Sequence, residues 1–300
     1  MLEKASLKAR FEVSGFVIRA KLRQFAIGCL LLTLTATVTT NCATTPAPPE
    51  EPESTATGEK LYQAGKRWYL QGCYQESLRY YFGAYERFCA GDQLAPAART
   101  LNSIGNLYRR LGDPDAAMTF YNEALVINRQ LADAAGEAQT LINRSAALLN
   151  AGEPDRAAVD LNQATALAVG SQRLALALNR SMGILLTRKG NLDAAEPHLQ
   201  AALAGATPSS AVDGATALDS AAAHYAMGRL RLAQEKPAEA RASFTRALGL
   251  DRQAGHTHGM ADDLEALGDC ARLLEAWSQA SFYYQRSARI FALLDHTDKT

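Results

Sequence analysis

Few of the residues that support cross-linking, membrane spanning or catalysis are present in this chain. Five cysteines in 300 residues, at positions 29, 42, 73, 89 and 270, do not fall in the close pairs of a disulfide framework or a zinc site. Cys73 and Cys89 lie near opposite ends of one expected helix, and that much helix extends about 24 Å, whereas a disulfide needs α-carbons within about 7 Å. Cys270 stands alone far along the chain, so these three thiols read as packing groups. The one sustained apolar stretch, Phe25 to Val38, has fourteen residues, short of the about twenty that span a bilayer as a helix. Neither charge sign dominates. Residues 1–42 hold six of the 31 Lys and Arg and two of the 31 Asp and Glu, leaving 25 basic against 29 acidic residues in the remainder. That balance argues against nucleic acid as a partner. No G-x-x-x-x-G-K-[ST], H-E-x-x-H or G-x-S-x-G motif occurs. His256 and His258 stand near Asp262 and Asp263 in GHTHGMADD, which read as polar loop residues rather than metal ligands, and His224 reads as a core histidine. The expectation is a non-enzyme with no cofactor, no metal and no small-molecule substrate.

What is present is a repeat. Small residues recur at Gly65, Gly105, Ser145, Gly183, Gly228 and Gly268, in steps of 40, 40, 38, 45 and 40. Seven residues after each come Gly72, Gly112, Gly152 and Gly190, and then Glu235 and Glu275, which break the rule. Five further on are Ser77, Ala117, Ala157, Ala195, Ala240 and Ala280, followed after four by Tyr81, Tyr121, Leu161, Leu199, Phe244 and Tyr284. The element closes on Ala84, Ala124, Ala164, Ala202, Ala247 and Ser287. A fixed period of this size marks a stacked array. Leu101, Ile104, Gly105 and Tyr108 fall at offsets of three and four, on one face of a helix. In LGDP, Gly112 can leave the right-handed helix, Asp113 can cap the next one, and Pro114 opens it. One unit is therefore a helix hairpin whose small residues let two axes approach. A single hairpin cannot bury its apolar face, so neighbours must stack.

The stretch ARTLNSIGNLYRRLGDPDAAMTFYNEALVINRQLADAAGEAQTL resembles the tetratricopeptide repeat (TPR), in the longer, roughly forty-residue form of cell-polarity and kinesin-light-chain type adaptors. The resemblance implies an all-α fold, a right-handed superhelical solenoid of about six TPR hairpins over residues 58–300. The repeats would lie near 58–91, 98–131, 138–170, 176–206, 221–254 and 261–295, with Arg231 in the usual apolar slot of the fifth. It also implies a concave groove, lined by the first helices, that holds a peptide or protein partner. Mapped position by position, the groove would offer Arg99, Asn102, Asn106, Arg109, Arg110, Asn143, Arg180, Arg188, Tyr225 and Arg229, with Ser103 and Gln139 beside them. Asn106 and Asn143 match the asparagines that hold a peptide backbone in such repeats, since an amide both donates and accepts. Ala146, Ile184 and Asp269 take that place elsewhere. So many arginines, Arg144 also being a candidate, favour an acidic segment or a terminal carboxylate. Asp262, Glu265 and Asp269 would give the last repeat the opposite polarity.

Residues 1–57 follow other rules. Arg19, Lys21 and Arg23 precede the apolar stretch, so residues 1–41 read as an n-region with a signal peptide or anchor. Cys42 follows, and CATTPAPPEEPE resembles the start of a mature bacterial lipoprotein, which implies lipidation at Cys42, a membrane attachment, and an outer-membrane location facing the periplasm of the cell envelope. Cleavage without lipid and an uncleaved anchor are the alternatives. Residues 42–57, rich in Pro, Thr and Glu, read as a flexible tether. Two functional classes follow. One is an envelope-anchored interaction scaffold working through its groove. The other is a structural subunit of an envelope assembly, of secretion or pilus type, working through the solenoid ends. There the first repeat holds eight aromatics from Trp68 to Phe88, and Ile290, Phe291 and Leu294 close the last helix.

Overall fold

The computed structural model describes residues 53–205 and 214–297. The signal segment, Cys29, Cys42 and the tether up to residue 52 lie outside them. Among the described residues twelve α-helices follow one another as hairpins: α1 (Glu53–Gln71) with α2 (Tyr74–Ala90), α3 (Leu94–Arg110) with α4 (Pro114–Gln130), and α5 (Ala134–Asn150) with α6 (Pro154–Leu167). The array continues with α7 (Gln172–Arg188) and α8 (Leu192–Ala204), α9 (Gly214–Ala233) and α10 (Pro237–Ala254), and α11 (Thr257–Leu273) and α12 (Trp277–Thr297). The fold is all-α, a solenoid of helix hairpins, with no strand among the described residues. No described helix is long and apolar enough to cross a membrane. Helix α1 starts at Glu53, so the end of the stretch read as tether is helical. Once a helix exists, each added residue costs little.

The hairpin turns show why glycine recurs. Gly72, Gly112, Gly152 and Gly190 have φ of 79°, 73°, 78° and 78°, a left-handed conformation that costs other residues about 1–2 kcal/mol. Asp113 then accepts from the Ala116 amide at 3.1 Å, with Pro114 in the first turn of α4. Glu235 and Glu275, which break the sequence rule, adopt the same conformation at φ 60° and 57°. The turn is thus set by the hairpin, and the last two units carry its strain.

Within each hairpin the first small residue sits under a large one. A Cβ built on Gly105 would lie 2.7 Å from the Tyr121 ring, and the same holds at Gly65 beneath Tyr81; Gly228 under Phe244 and Gly268 under Tyr284 leave 2.6 Å. Tyr121 is fully buried, and its hydroxyl donates to Asn106 Oδ1 at 2.8 Å. In the third unit Ser145 takes the glycine position and the ring is replaced by Leu161, also fully buried. The apolar slot that holds Arg231 is satisfied electrostatically. Its guanidinium binds both carboxylate oxygens of Glu196, at 2.7 and 2.9 Å, and reaches Glu239 at 3.1 Å. The hydrogen bonds from Arg231 and Gln234 depress the Glu196 pKa to about 2.

The two ends of the array meet. Tyr69 of α1 stacks near-parallel on His256, ring centres 6.2 Å apart, and Tyr74 faces His258 at 5.7 Å. His258 meets the Phe291 ring edge-on at 5.3 Å, and Leu294 lies over Gly72. Arg110 of the second hairpin pairs with Asp262 of the sixth at 3.1 Å. Phe291 and Leu294, read from sequence as surfaces for a partner, are therefore engaged inside the chain. Tyr74, Tyr81, Tyr85 and Phe88 are core, which accounts for half of the aromatics of the first hairpin.

The interlock predicts that Gly105→Ala destabilises the protein by about 1–2 kcal/mol, overpacking outweighing the better helix propensity of alanine. Adding Tyr121→Leu, the residue that faces Ser145 in the third unit as Leu161, should recover part of that loss. Urea unfolding of the single and double variants measures both; an additive double loss contradicts the interlock.

Candidate functional site: a chamber lined by arginines

Because the array curls until its ends touch, its first helices α3, α5, α7, α9 and α11 line a half-open chamber of about 1000 Å³, with Tyr69 contributed by α1. Seven of the ten candidate groove residues line it: Arg109, Arg110, Asn143, Arg180, Arg188, Tyr225 and Arg229. Apolar side chains such as Ile142, Leu149, Ile184 and Leu218 fill the wall between them.

The arginines are held to different degrees. Arg188 donates to the Leu149 carbonyl at 2.6 Å and to Asn150 Oδ1 at 3.3 Å, which fixes its guanidinium against α5. Arg180 reaches Asp219 at 3.4 Å. Arg109 has a buried Nε with no hydrogen-bond acceptor, and Arg229 is an exposed side chain on the wall. Arg110 is spent on Asp262 and so works as a clasp. Asn143 donates to Asn102 Oδ1 at 3.2 Å and accepts from Gln139 at 3.3 Å. Tyr225 is fixed edge-on against Phe244 at 5.3 Å.

The other three candidates sit elsewhere. Arg99 lies over the Tyr62 ring at 4.4 Å and pairs with Glu59. Asn102 is buried against Asn143, and Asn106 Oδ1 receives the Tyr121 hydroxyl. Asp269 receives the Tyr284 hydroxyl in the same way, at 2.8 Å. Where leucine replaces the tyrosine, at Leu161 and Leu199, the acceptor becomes Ala146 and Ile184. In the second and sixth hairpins the polar residue after the small one is thus held by the hydroxyl of its own unit, which accounts for Asn106 and Asp269 without a peptide. Arg144 is bound by Asp160 and Asn122 and does not line the chamber.

The part of the chamber wall made by α10 and α11 is acidic. Asp251 ends α10, while Asp262 and Asp263 lie on α11, and all three line the cavity with His256. His256 and His258 are thus not loop residues in water: His256 is buried and His258 nearly so. His256 Nδ1 stands 3.2 Å from Asp251 Oδ1, yet neither ring nitrogen has a hydrogen-bond partner. Burial opposes the charge on Asp262, but His258 and Arg110 hold its pKa below the ordinary value. Asp263 is 1% exposed, and its Oδ2 has no donor. Burial, with Asp251 and Asp262 adding to it, pushes its pKa up to about 9. The GHTHGMADD stretch signalled this cluster, but nothing local told that the first hairpin would cover it. Among the described residues no group of three or more His, Cys, Asp or Glu is arranged to hold a metal ion.

A family model described as Tetratricopeptide repeat matches residues 69–130, 96–168 and 173–253, together more than half of the chain. No curated protein sequence matches. Among solved structures, a Rap protein complexed with Competence and Sporulation Factor superposes with a TM-score of 0.62 at 17% identity, over 82% of this chain and 66% of that one. NprR in complex with its cognate peptide NprX gives 0.61 at 16%, over 80% and 68%. BtubC (BKLC) from P. vanneervenii gives 0.50 at 14%, over 82% and 93%. At these identities the likeness is one of fold.

The state of Asp263 generates a prediction with a definite sign. The unfolded chain ionises this carboxyl near pH 3.9 and the folded chain only near pH 9, so the residue drains stability as pH rises between the two. Asp263→Asn cannot ionise. Its melting point should match that of the native protein at pH 4 and exceed it by a growing margin as pH rises to 8. An advantage that does not grow with pH contradicts the assignment.

Proposed function

This chain belongs to the tetratricopeptide-repeat family, and from that premise we propose that it is a non-enzymatic protein–protein interaction scaffold whose chamber holds a peptide segment of its partner. The observation that carries this reading is the convergence of Arg109, Arg180, Arg188 and Arg229 on one cavity of about 1000 Å³. Guanidinium groups grip carboxylates bidentately, and several around one wall favour an acidic segment or a chain terminus. The Rap and NprR structures, each solved with its peptide or factor, support a segment-sized occupant for a solenoid of this shape. The N-terminal sequence supports an envelope setting, with a lipid on Cys42 tethering the scaffold to the outer membrane on its periplasmic side.

A second reading has its own observation. Trp277 and Phe282 on α12 are 64% and 56% exposed, apolar side chains that a permanent neighbour in an envelope assembly would cover. In that case the end hairpin, and not the chamber, makes the contacts.

Crosslinking in cells followed by fractionation and mass spectrometry separates these. Arg109→Glu with Arg180→Glu should lose the main crosslinked partner, roughly a tenfold or greater drop, with circular dichroism unchanged. Cys42→Ala should move the protein out of the membrane fraction. Retention of every partner by the charge-reversed variant contradicts the chamber reading, and Phe282→Ser would then be the variant that loses them.

A further inference from the structure

We propose that the acidic side of the chamber is a subsite for a primary ammonium group, so that the bound segment is held at two poles, its carboxylate by the arginines and its amine by Asp263. The inference rests on the chamber being the partner site and deepens it. A buried carboxyl group with an unmatched oxygen on the wall of a cavity is costly, and a native protein keeps few such groups. Asp263 is one, and Arg110 and His258, which lie at this end, are paired with Asp262. Asp263 Oδ2 has no donor, and the Asp251 carboxylate and His256 line the same stretch of wall. An ammonium has three donors and no acceptor, which suits that set.

The absence of a side chain at position 259 serves the same end. A Cβ there would collide with Asp251 Oδ2 and His256 Nδ1, so glycine is what lets these two groups lie together on the wall. Proton balance is explicit. At neutral pH Asp263 is protonated, its titratable neighbours being Asp251 on α10, Asp262 on its own helix and Tyr225 on α9. Entry of R–NH₃⁺ favours the carboxylate, and the displaced proton leaves to solvent. Lysine side chains and free N-termini both supply the group.

Calorimetry on the full-length protein tests this with capped peptides that place one glutamate and one lysine about two to six glycines apart. Controls carry ε-acetyl-lysine in place of lysine, or no lysine and a free N-terminus. At one spacing the lysine or the free-amine peptide should bind roughly tenfold tighter than its acetylated counterpart. At pH 7 its binding enthalpy should vary with buffer ionisation enthalpy, the sign of proton release. Asp263→Asn should erase the amine preference and the proton release while leaving glutamate-dependent binding, and Arg180→Glu should do the reverse. Equal binding of amine and acetylated peptides, with the glutamate requirement intact, overturns the ammonium subsite alone. No glutamate-dependent binding by any peptide overturns the chamber reading and this inference with it.

Discussion

The contact of a bare glycine backbone with a large side chain from the facing helix sets the geometry of this molecule. At Gly65, Gly105, Gly183, Gly228 and Gly268 there is no room for a Cβ, because a tyrosine, phenylalanine or leucine occupies its place. Each of these hairpins is thereby pinched at one level, with alanines such as Ala117 and Ala124 fully buried beside the contact. Repeating one pinch in five of the six units, with Ser145 beside Leu161 in the third, gives successive hairpins nearly the same stacking, and a constant step of that kind generates curvature. A protein interior tolerates little change of volume, so the curvature belongs to the packing and is not a soft property of the turns.

Curvature carried through all the hairpins brings the array back on itself. The aromatic first hairpin then meets the histidines and Phe291 of the last, and Arg110 joins Asp262 across the interior. What an open solenoid would present as a groove becomes a chamber with two electrical poles. The arginine pole comes from α3, α7 and α9, and the carboxyl pole from α10 and α11. Asp263 shows the conflict between stability and use. Its burial favours the neutral acid and weakens the fold above acidic pH, a burden that functional sites commonly carry.

The hairpins and their stacking were legible because they are local: small residues at fixed steps, a Gly-Asp-Pro turn, and rings at offsets of four are all set within forty residues. Seven of the groove positions could be placed on the inner wall for the same reason, since register on a first helix decides which way a side chain faces. Other features depend on contacts between residues far apart. Arg99 and Asn106 hold the right register, yet Tyr62 and Glu59 claim the one and Tyr121 the other. His256 and His258 look like loop residues until Tyr69 and Tyr74, nearly two hundred residues earlier, cover them. Arg231 looks misplaced in an apolar slot until Glu196 from the preceding hairpin is seen beside it. Closure of the ring is a sum over all the units, and no single repeat contains it.

The most direct test of the account places a photo-crosslinking phenylalanine analogue inside the chamber, at Tyr225, and compares it with the same group on the outer end face, at Phe282. Irradiation in cells followed by peptide mapping reads where the partner lies. The account predicts an adduct from position 225 that maps to one short acidic segment of a single protein, with none from position 282. Adducts from position 282 alone would contradict it and make the end face of α12 the working surface.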